Sequence, residues 1–202
     1  MTSDRTDPTD FLGLREQLSA EERMVGETVR RLVQGQALPR IADHFEAGTF
    51  PLELAPALAE MGLFGMHLHG YGCAGMTNIA YGVASQELER CDSGLRSFVS
   101  VQGSLAMFPI WKFGSDAQKE RWLPKMAAGK AFGCFGLTEP DFGSNPSGML
   151  TAARKDGDSY VLNGSKRWIT NGSLADVAVI WAKLDGVIHG FLVEKGTPGF
   201  EA

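Results

Sequence analysis

Residue types able to hold a cofactor concentrate in two stretches of this sequence, residues 133–146 and 168–170. The first begins as an apolar strand and continues as a loop, in which Pro140 lacks a backbone donor and Gly143 permits unusual backbone angles. Loops of this kind expose amides and hydroxyls, which suit a planar, electron-accepting ring and its phosphates. The composition alone is also that of an ordinary strand and turn.

A second group of residues with chemistry is Arg96 beside Ser97. They follow a break at residues 92–94 and are predicted to begin a helix, where backbone amides are free. A guanidinium next to a hydroxyl and free amides can bind a carboxylate. Glu89 would lie about two turns away on a continuous helix, but the break could fold it back to orient the guanidinium. All three residues also fit a solvated surface.

Composition excludes several classes of protein. The 202 residues carry 19 basic and 24 acidic side chains, and this net charge of -5 argues against a nucleic-acid surface. No apolar run approaches the length of a membrane span. The polar, acidic first ten residues do not resemble a secretory or mitochondrial leader, and the three cysteines lack metal-ligand spacing. We therefore expect a cytoplasmic protein with reduced thiols.

Residues 1–130 are predicted to form an antiparallel bundle of helices with short links. Ser19 and Ser115 each begin a capping box, closed three residues later by Glu22 and Gln118. The first long helix is expected to end near Pro39. A helix over residues 95–113 is expected to be interrupted at Pro109, because proline removes a backbone donor.

Residues 131–202 are predicted to form a small antiparallel β-barrel, which makes the fold class α+β. Six short runs have strand composition: residues 132–137, 150–155, 160–162, 166–170, 177–183 and 188–194. Asp-Gly or Asn-Gly pairs at 156–157, 163–164 and 185–186 mark tight turns.

Longer motifs carry a resemblance to a known family. The run CFGLTEPDFGS at residues 134–144, followed by KRWITNG at 166–172, resembles the flavin-binding signature of the acyl-CoA dehydrogenases. GYGCAG at 70–75 and YGVASQELERCDSGLRSFVS at 81–100 are similar to the glutaryl-CoA dehydrogenases within that family. The similarity runs from about residue 18 to the end, and motifs this long in the same order are a specific signal.

The resemblance implies FAD as the cofactor and assigns a role to each residue of the two stretches. The pyrimidine edge of the ring would be contacted by Phe135, Gly136, Leu137 and Thr138. Gly143 and Ser144 would approach the pyrophosphate and the thioester arm of the substrate. Trp168 would cover one ring face, with Ile169 and Thr170 near N5. Donors aimed at the N1 and C2 region of the ring favour its reduction.

The same resemblance implies that Arg96 and Ser97 bind the distal carboxylate of the substrate and that Glu89 pairs with the arginine. Enzymes of the glutaryl type oxidise glutaryl-CoA and then release carbon dioxide to give crotonyl-CoA. Their electrons pass to an electron-transfer flavoprotein, and they assemble as homotetramers. Asn145 stands where the family usually has aspartate, which would change a loop capping bond.

The catalytic base of the family is a glutamate in a C-terminal helical domain, and no residue here corresponds to it; Glu139 is not assigned that role. Because family members are nearly twice as long, we expect a truncated, cleaved or partly resolved piece of an enzyme, inactive by itself, with an incomplete β-domain at residues 131–202. Two alternatives stay open. One is a non-catalytic flavin-binding or assembly subunit completed by another chain, and the other is a flavin oxidase or monooxygenase of the same fold.

Overall fold

Helices occupy most of the first 130 residues in this computed structural model, which describes Asp10 and residues 12–202. Seven α-helices are described, and they are numbered here in chain order. They are α1 Ala20–Leu32, α2 Leu38–Ala47, α3 Ala55–Glu60, α4 Asn78–Glu89, α5 Ser93–Ser100, α6 Phe108–Phe113 and α7 Asp116–Ala127. The predicted order, a helical region followed by a small β-domain, is confirmed.

Both predicted capping boxes form. The Ser19 amide donates to Glu22 Oε2 at 2.9 Å, and the Glu22 amide donates to Ser19 Oγ at 3.2 Å. At α7 the Ser115 amide donates to Gln118 Oε1 at 2.9 Å, and the Gln118 amide donates to Ser115 Oγ at 3.3 Å. Each box satisfies two helix-end donors with side chains close in sequence, so local sequence is sufficient to predict it.

The predicted helix breaks at Pro39 and Pro109 are wrong. A π-helical segment, Val33–Ala37, joins α1 to α2, and another, Val101–Met107, joins α5 to α6. Each proline lies in the first turn of the α-helix that follows its π segment. A proline clashes with the carbonyl four residues earlier in a regular helix, and the wider π turn changes the carbonyl spacing at that point. The chain therefore continues as a helix through both prolines.

The chain forms two compact units, and their division does not follow residue 130; that domain boundary stays a prediction. The first unit comprises the described residues up to Leu54 together with Met76–Arg96. In it α1 packs on α4 so closely that a Cβ at Gly26 would lie 2.7 Å from Val83 Cγ1. The buried Glu87 carboxylate accepts two hydrogen bonds from Arg30, at 2.7 and 3.0 Å.

The second unit, Ala55–Gly75 with Ser97–Ala202, contains the sheet. Its strands are β1 Gly133–Gly136, β2 Ala152–Asp156, β3 Ser159–Asn163, β4 Val177–Leu184 and β5 Val187–Glu194. Central β4 pairs in parallel with β1 and, at Lys183 and Leu184, in parallel with β2. The β2–β3 and β4–β5 pairs are antiparallel hairpins.

The prediction of a wholly antiparallel barrel is therefore corrected: the five described strands form one mixed sheet. The β4–β5 hairpin turns at the predicted pair Asp185–Gly186, whose φ angles are 51° and 81°. The β2–β3 hairpin turns one residue later than predicted, at Gly157 and Asp158, because Asp156 still pairs with Ser159. At Asn163–Gly164 no hairpin turn forms: Asn163 ends β3, and Gly164 begins a loop. The predicted strand at residues 166–170 is wrong, because no strand is formed there.

A buried aromatic cluster and one buried amide join the helices of the second unit to β1. The rings of Phe64, Phe98 and Phe132 lie 5.2–6.1 Å apart. Fully buried Gln102, in the second π segment, donates to the Met126 and Ala131 carbonyls at 3.2 and 2.9 Å and accepts from the Gly133 amide at 2.8 Å. Among the described helices, none is long and apolar enough to cross a membrane.

Candidate functional site

The two stretches singled out in the sequence lie side by side in the second unit. The Arg167 amide donates to the Thr138 carbonyl at 2.8 Å, and Lys166 Nζ donates to the Leu137 carbonyl at 3.1 Å. The Asn171 side chain donates to the Gly133 carbonyl at 3.4 Å. The loop at residues 166–171 is thus attached along the end of β1, which brings Thr138 next to Trp168 although 29 residues of chain separate them.

Glu139 connects the loop at residues 166–171 to residues 150–151. Its buried carboxylate accepts hydrogen bonds from the Leu150 and Thr151 amides at 2.6 and 2.9 Å and from Lys166 Nζ at 2.9 Å. Burial by itself raises the pKa of Glu139, but hydrogen bonds from Thr151, Leu150 and Lys166 outweigh it and lower that pKa to about 2. The carboxylate is therefore a fixed structural anion, and this low pKa makes it a poor proton acceptor.

The low pKa of Glu139 predicts acid sensitivity. Because its folded-state pKa of about 2 lies below the ordinary 4.5, its contribution to stability is complete above pH 4.5 and is lost as pH falls towards 2. That contribution is on the order of 3 kcal/mol, since each pKa unit corresponds to about 1.4 kcal/mol. Denaturant unfolding of wild type and Glu139→Gln at several pH values between 2 and 6 tests this. The difference in stability between the two should shrink with falling pH, and a constant difference would contradict the prediction.

Trp168 has an unusual backbone and an unusual exposure. Its φ angle is 60°, in the left-handed region that bulky residues rarely adopt, and its side chain is 79% exposed. The Arg167 guanidinium carbon lies 4.4 Å from the centre of the indole ring. Strained backbone of this kind persists only where surrounding contacts hold it, and it is concentrated at ligand sites. The loop therefore presents a large aromatic face to solvent.

Two threonines lie near Trp168: Thr170 is two residues further along the chain, and the Thr138 carbonyl accepts from the Arg167 amide. In the described part of the chain, the hydroxyls of Thr138 and Thr170 and the amide of Thr170 have no hydrogen-bond partner. Ile169 beside them is half-buried against the apolar cluster of Cys134, Ala175 and Ala178. Unused donors next to an exposed indole suit a planar ring with acceptor atoms at its edge, so these residues fit a flavin.

The other predicted flavin residues are placed less closely together. Half-buried Phe135 packs its ring 5.7 Å from that of Trp181, and a Cβ on Gly136 would lie 2.6 Å from Ile180 Cδ1, so both face packed protein. Gly143 and Ser144 lie in an exposed loop. No hydrogen bond among the described residues joins that loop to residues 168–170. Their roles towards a pyrophosphate stay predictions.

Two of the predicted substrate residues, Glu89 and Arg96, lie in the first unit. Arg96 Nε donates to Glu89 Oε2 at 2.6 Å. Of the two predicted arrangements, a continuous helix or a chain folded back at residues 92–94, the structure has the second. The Ser93 hydroxyl also donates to Glu89 at 2.6 Å, and hydrogen bonds from Ser93 and Arg96 lower the pKa of Glu89. Arg96 keeps 35% of its side chain exposed.

The prediction that Arg96 and Ser97 begin a helix is wrong. α5 begins at Ser93, and the Asp92 side chain caps it by accepting from the Leu95 amide at 2.8 Å. The Arg96 amide already donates to the Asp92 carbonyl at 3.1 Å, so it is not available to a ligand. Any carboxylate recognition by Arg96 must therefore use its guanidinium. Ser97 is the next residue along α5, half-buried, and its carbonyl accepts from the Ser100 hydroxyl at 3.2 Å.

Sequence reasoning missed Lys166 and Arg167, which attach the loop at residues 166–171 to the end of β1. Lys166 was assigned to a strand, and Arg167 had no role. The alternation of charged, aromatic and β-branched residues there was mistaken for strand composition. The Lys-Arg pair directly before an aromatic residue was a weak signal for a charged anchor, but its partner Glu139 could not be identified without the fold.

A cavity of about 400 Å³ is lined by residues 139–142, 150–152 and 163–165. None of the predicted flavin or substrate residues lines it. It is therefore separate from the aromatic face around Trp168.

Comparison with known proteins identifies the relatives of this chain. The family model for the acyl-CoA dehydrogenase N-terminal domain matches residues 19–130, and that for the middle domain matches residues 134–202. A crystal structure of a glutaryl-CoA dehydrogenase from Mycobacterium smegmatis, in complex with FADH2, is 56% identical with a TM-score of 0.92; the match covers 94% of this chain and 49% of that one.

Short-chain relatives are similar as well. The short-chain specific acyl-CoA dehydrogenase of Bos taurus mitochondria is 35% identical over 189 residues, covering 91% of this chain and 46% of that protein. The short-chain specific enzyme of Megasphaera elsdenii is 38% identical over 172 residues, covering 80% of this chain and 45% of that protein. The chain thus spans about half the length of the curated relatives it matches.

Proposed function

Because the chain belongs to the acyl-CoA dehydrogenase family, whose members are FAD-dependent oxidoreductases, we propose that it forms part of an enzyme that oxidises a dicarboxylic acyl-CoA of the glutaryl type. The single observation that carries the cofactor half of this proposal is the exposed Trp168 on a left-handed backbone, attached beside Thr138. The substrate half rests on Arg96, oriented by Glu89.

Thr138, Trp168 and Thr170 are the residues proposed to hold FAD. The indole would stack on the ring, and the two hydroxyls would donate hydrogen bonds to its edge. Donors fixed in this way stabilise negative charge that develops on reduction, at no cost of reorganisation. When bound, FAD supplies a hydride acceptor. The chain's own contribution is to bind the ring, to keep water from one of its faces and to aim donors at it.

Substrate selection is proposed to depend on charge. Burying a neutral polar group without a hydrogen-bond partner costs roughly 2–7 kcal/mol, and burying an unpaired carboxylate costs more. A cation is therefore needed to pair with the distal carboxylate of the substrate. A guanidinium can bind a carboxylate through two parallel hydrogen bonds. Glu89 holds the Nε side of Arg96, which fixes the plane of the guanidinium. The identity of 56% to a glutaryl-CoA dehydrogenase supports this choice over a short-chain substrate.

We propose that none of residues 133–172 acts as the base that removes the α-proton. Glu139 is the carboxylate next to Thr138, and it is buried, paired with Lys166 and has a pKa of about 2. The 202-residue chain alone is therefore expected to show no acyl-CoA dehydrogenation. Decarboxylation to crotonyl-CoA, transfer of electrons to an electron-transfer flavoprotein and assembly as a tetramer belong to the same proposal.

The test is flavin binding followed by substrate reduction. The complete product of the gene should take up FAD and show its visible absorbance, and anaerobic glutaryl-CoA should bleach that absorbance faster than butyryl-CoA does. A folded protein that takes up no FAD contradicts the proposal. FAD binding without bleaching by any acyl-CoA would favour a non-catalytic flavin-binding subunit, and rapid oxygen consumption with acyl-CoA would favour an oxidase.

Replacing Trp168 alone tests its part in FAD binding. Trp168→Ala is expected to weaken FAD binding about tenfold, since aromatic contacts of this size contribute roughly 1–2 kcal/mol. Trp122→Ala is unsuitable as a control because that ring is buried, so Phe113→Ala, at an exposed position, serves instead. FAD titration by fluorescence measures both variants. Equal affinities for the two variants would remove Trp168 from the site.

A further inference from the structure

Arg167 is a cation with no acidic partner in the described part of the chain. Lys166, the preceding residue, is neutralised by Glu139 at 2.9 Å. The Arg167 guanidinium instead covers the ring of Trp168, at 4.4 Å from its centre. Arg167 therefore places a cationic side chain directly on the indole.

The backbone at Arg167 and Trp168 is restrained. The Arg167 amide is bonded to the Thr138 carbonyl at 2.8 Å, and the next residue is held at a φ of 60°. Two neighbouring side chains that would diverge along a strand are thereby turned to stack on each other. Stacking of a guanidinium on an exposed indole is attractive, so it favours one orientation of the ring.

We propose that Arg167 is a positioning residue for the flavin. It fixes the Trp168 ring by covering one of its faces, leaves the other face for the flavin, and places a permanent positive charge one ring thickness behind that face. This inference rests on the proposed function, because it takes FAD to be the ligand of Trp168. It adds a residue to which the sequence motif itself gives no role.

The charge has a consequence for reduction. A reduced flavin carries negative charge on its ring system, and a nearby cation stabilises it more than the neutral oxidised form. Arg167 therefore raises the midpoint potential of the bound flavin. Fixing the Trp168 ring has a separate effect on the affinity for FAD. A side chain that is already ordered loses less conformational entropy on binding, so the affinity is higher.

Two substitutions separate the charge from the stacking. Arg167→Met keeps an apolar stem but removes the charge and the planar group. Arg167→Lys keeps the charge but lacks the flat guanidinium. In the FAD-loaded complete gene product, we expect the methionine variant to lower the flavin midpoint potential and to raise the dissociation constant of FAD three- to tenfold. The lysine variant should keep most of the potential and lose part of the affinity.

The readouts distinguish positioning from a merely structural role. A change in thermal unfolding without a change in midpoint potential or FAD affinity would overturn the inference. So would an equal loss of FAD affinity for Arg167→Met in wild type and in a Trp168→Leu background, since the arginine would then not act through the indole. If wild-type protein binds no FAD, the proposed function fails first. If it binds FAD and Arg167→Met matches it in both potential and affinity, only the role of Arg167 fails.

Discussion

Replacing Lys166 with methionine is expected to destabilise the fold by about 3–5 kcal/mol, the cost of leaving a buried ionised partner uncompensated. Lys166 is 8% exposed and Glu139 is 4% exposed, so water cannot take the place of the missing ammonium. The carbonyl of Leu137 would lose its donor from Lys166 as well. Urea unfolding at pH 7 measures the loss, and Lys112→Met is the matched control because Lys112 is an exposed lysine with no ion pair in the described part.

A second variant makes the Lys166 result interpretable. In Glu139→Gln/Lys166→Met neither charge remains, so part of the lost stability should return. If Lys166→Met were no more destabilising than Lys112→Met, the buried pair would contribute little. FAD affinity should fall together with stability, because the pair fixes both stretches that are proposed to bind the ring. Retained FAD affinity in an otherwise weakened fold would show that the pair does not position the site.

Arg96→Met in the complete gene product is expected to lower kcat/KM for glutaryl-CoA. The expected fall corresponds to a loss of roughly 2–4 kcal/mol of transition-state stabilisation, and kcat/KM for butyryl-CoA should fall far less. The methionine stem has a similar length, and the arginine is already one-third exposed, so the fold should tolerate the change. Steady-state kinetics with both substrates gives the comparison. Arg154→Met, at an exposed arginine on β2, controls for loss of one positive charge.

The Arg96 experiment has two outcomes that would correct the proposed substrate. Equal losses for glutaryl-CoA and butyryl-CoA would point to a general effect on the fold or on CoA binding. No loss for glutaryl-CoA would remove the glutaryl assignment and leave the wider family. Glu89→Gln should show a smaller loss of the same kind, because the amide can still accept a hydrogen bond from Arg96 but no longer carries the charge.

Long motifs allowed the family and its cofactor to be predicted from sequence, and local signals allowed several elements to be placed. Ser19 and Ser115 start their helices because a cap depends on side chains only three residues away. Asp185–Gly186 lies between β4 and β5 as predicted, because two residues determine the turn. Trp168 was assigned to the flavin site, and its exposed position fits that prediction.

Features that depend on partners distant in sequence could not be predicted without the fold. A strand's side-chain pattern shows which face is buried but not which strand lies beside it, so the parallel pairing of β4 with β1 and β2 was not predicted. Residues 166–170 have strand propensity, but the bonds of Lys166 and Arg167 to the end of β1 hold them in a loop. The caps, the turn at Asp185–Gly186 and the family could all be predicted from residues close together in the chain. Only the fold determined that Glu139 meets Lys166, because that ion pair closes a loop of chain whose ends are brought together by the packing of the sheet.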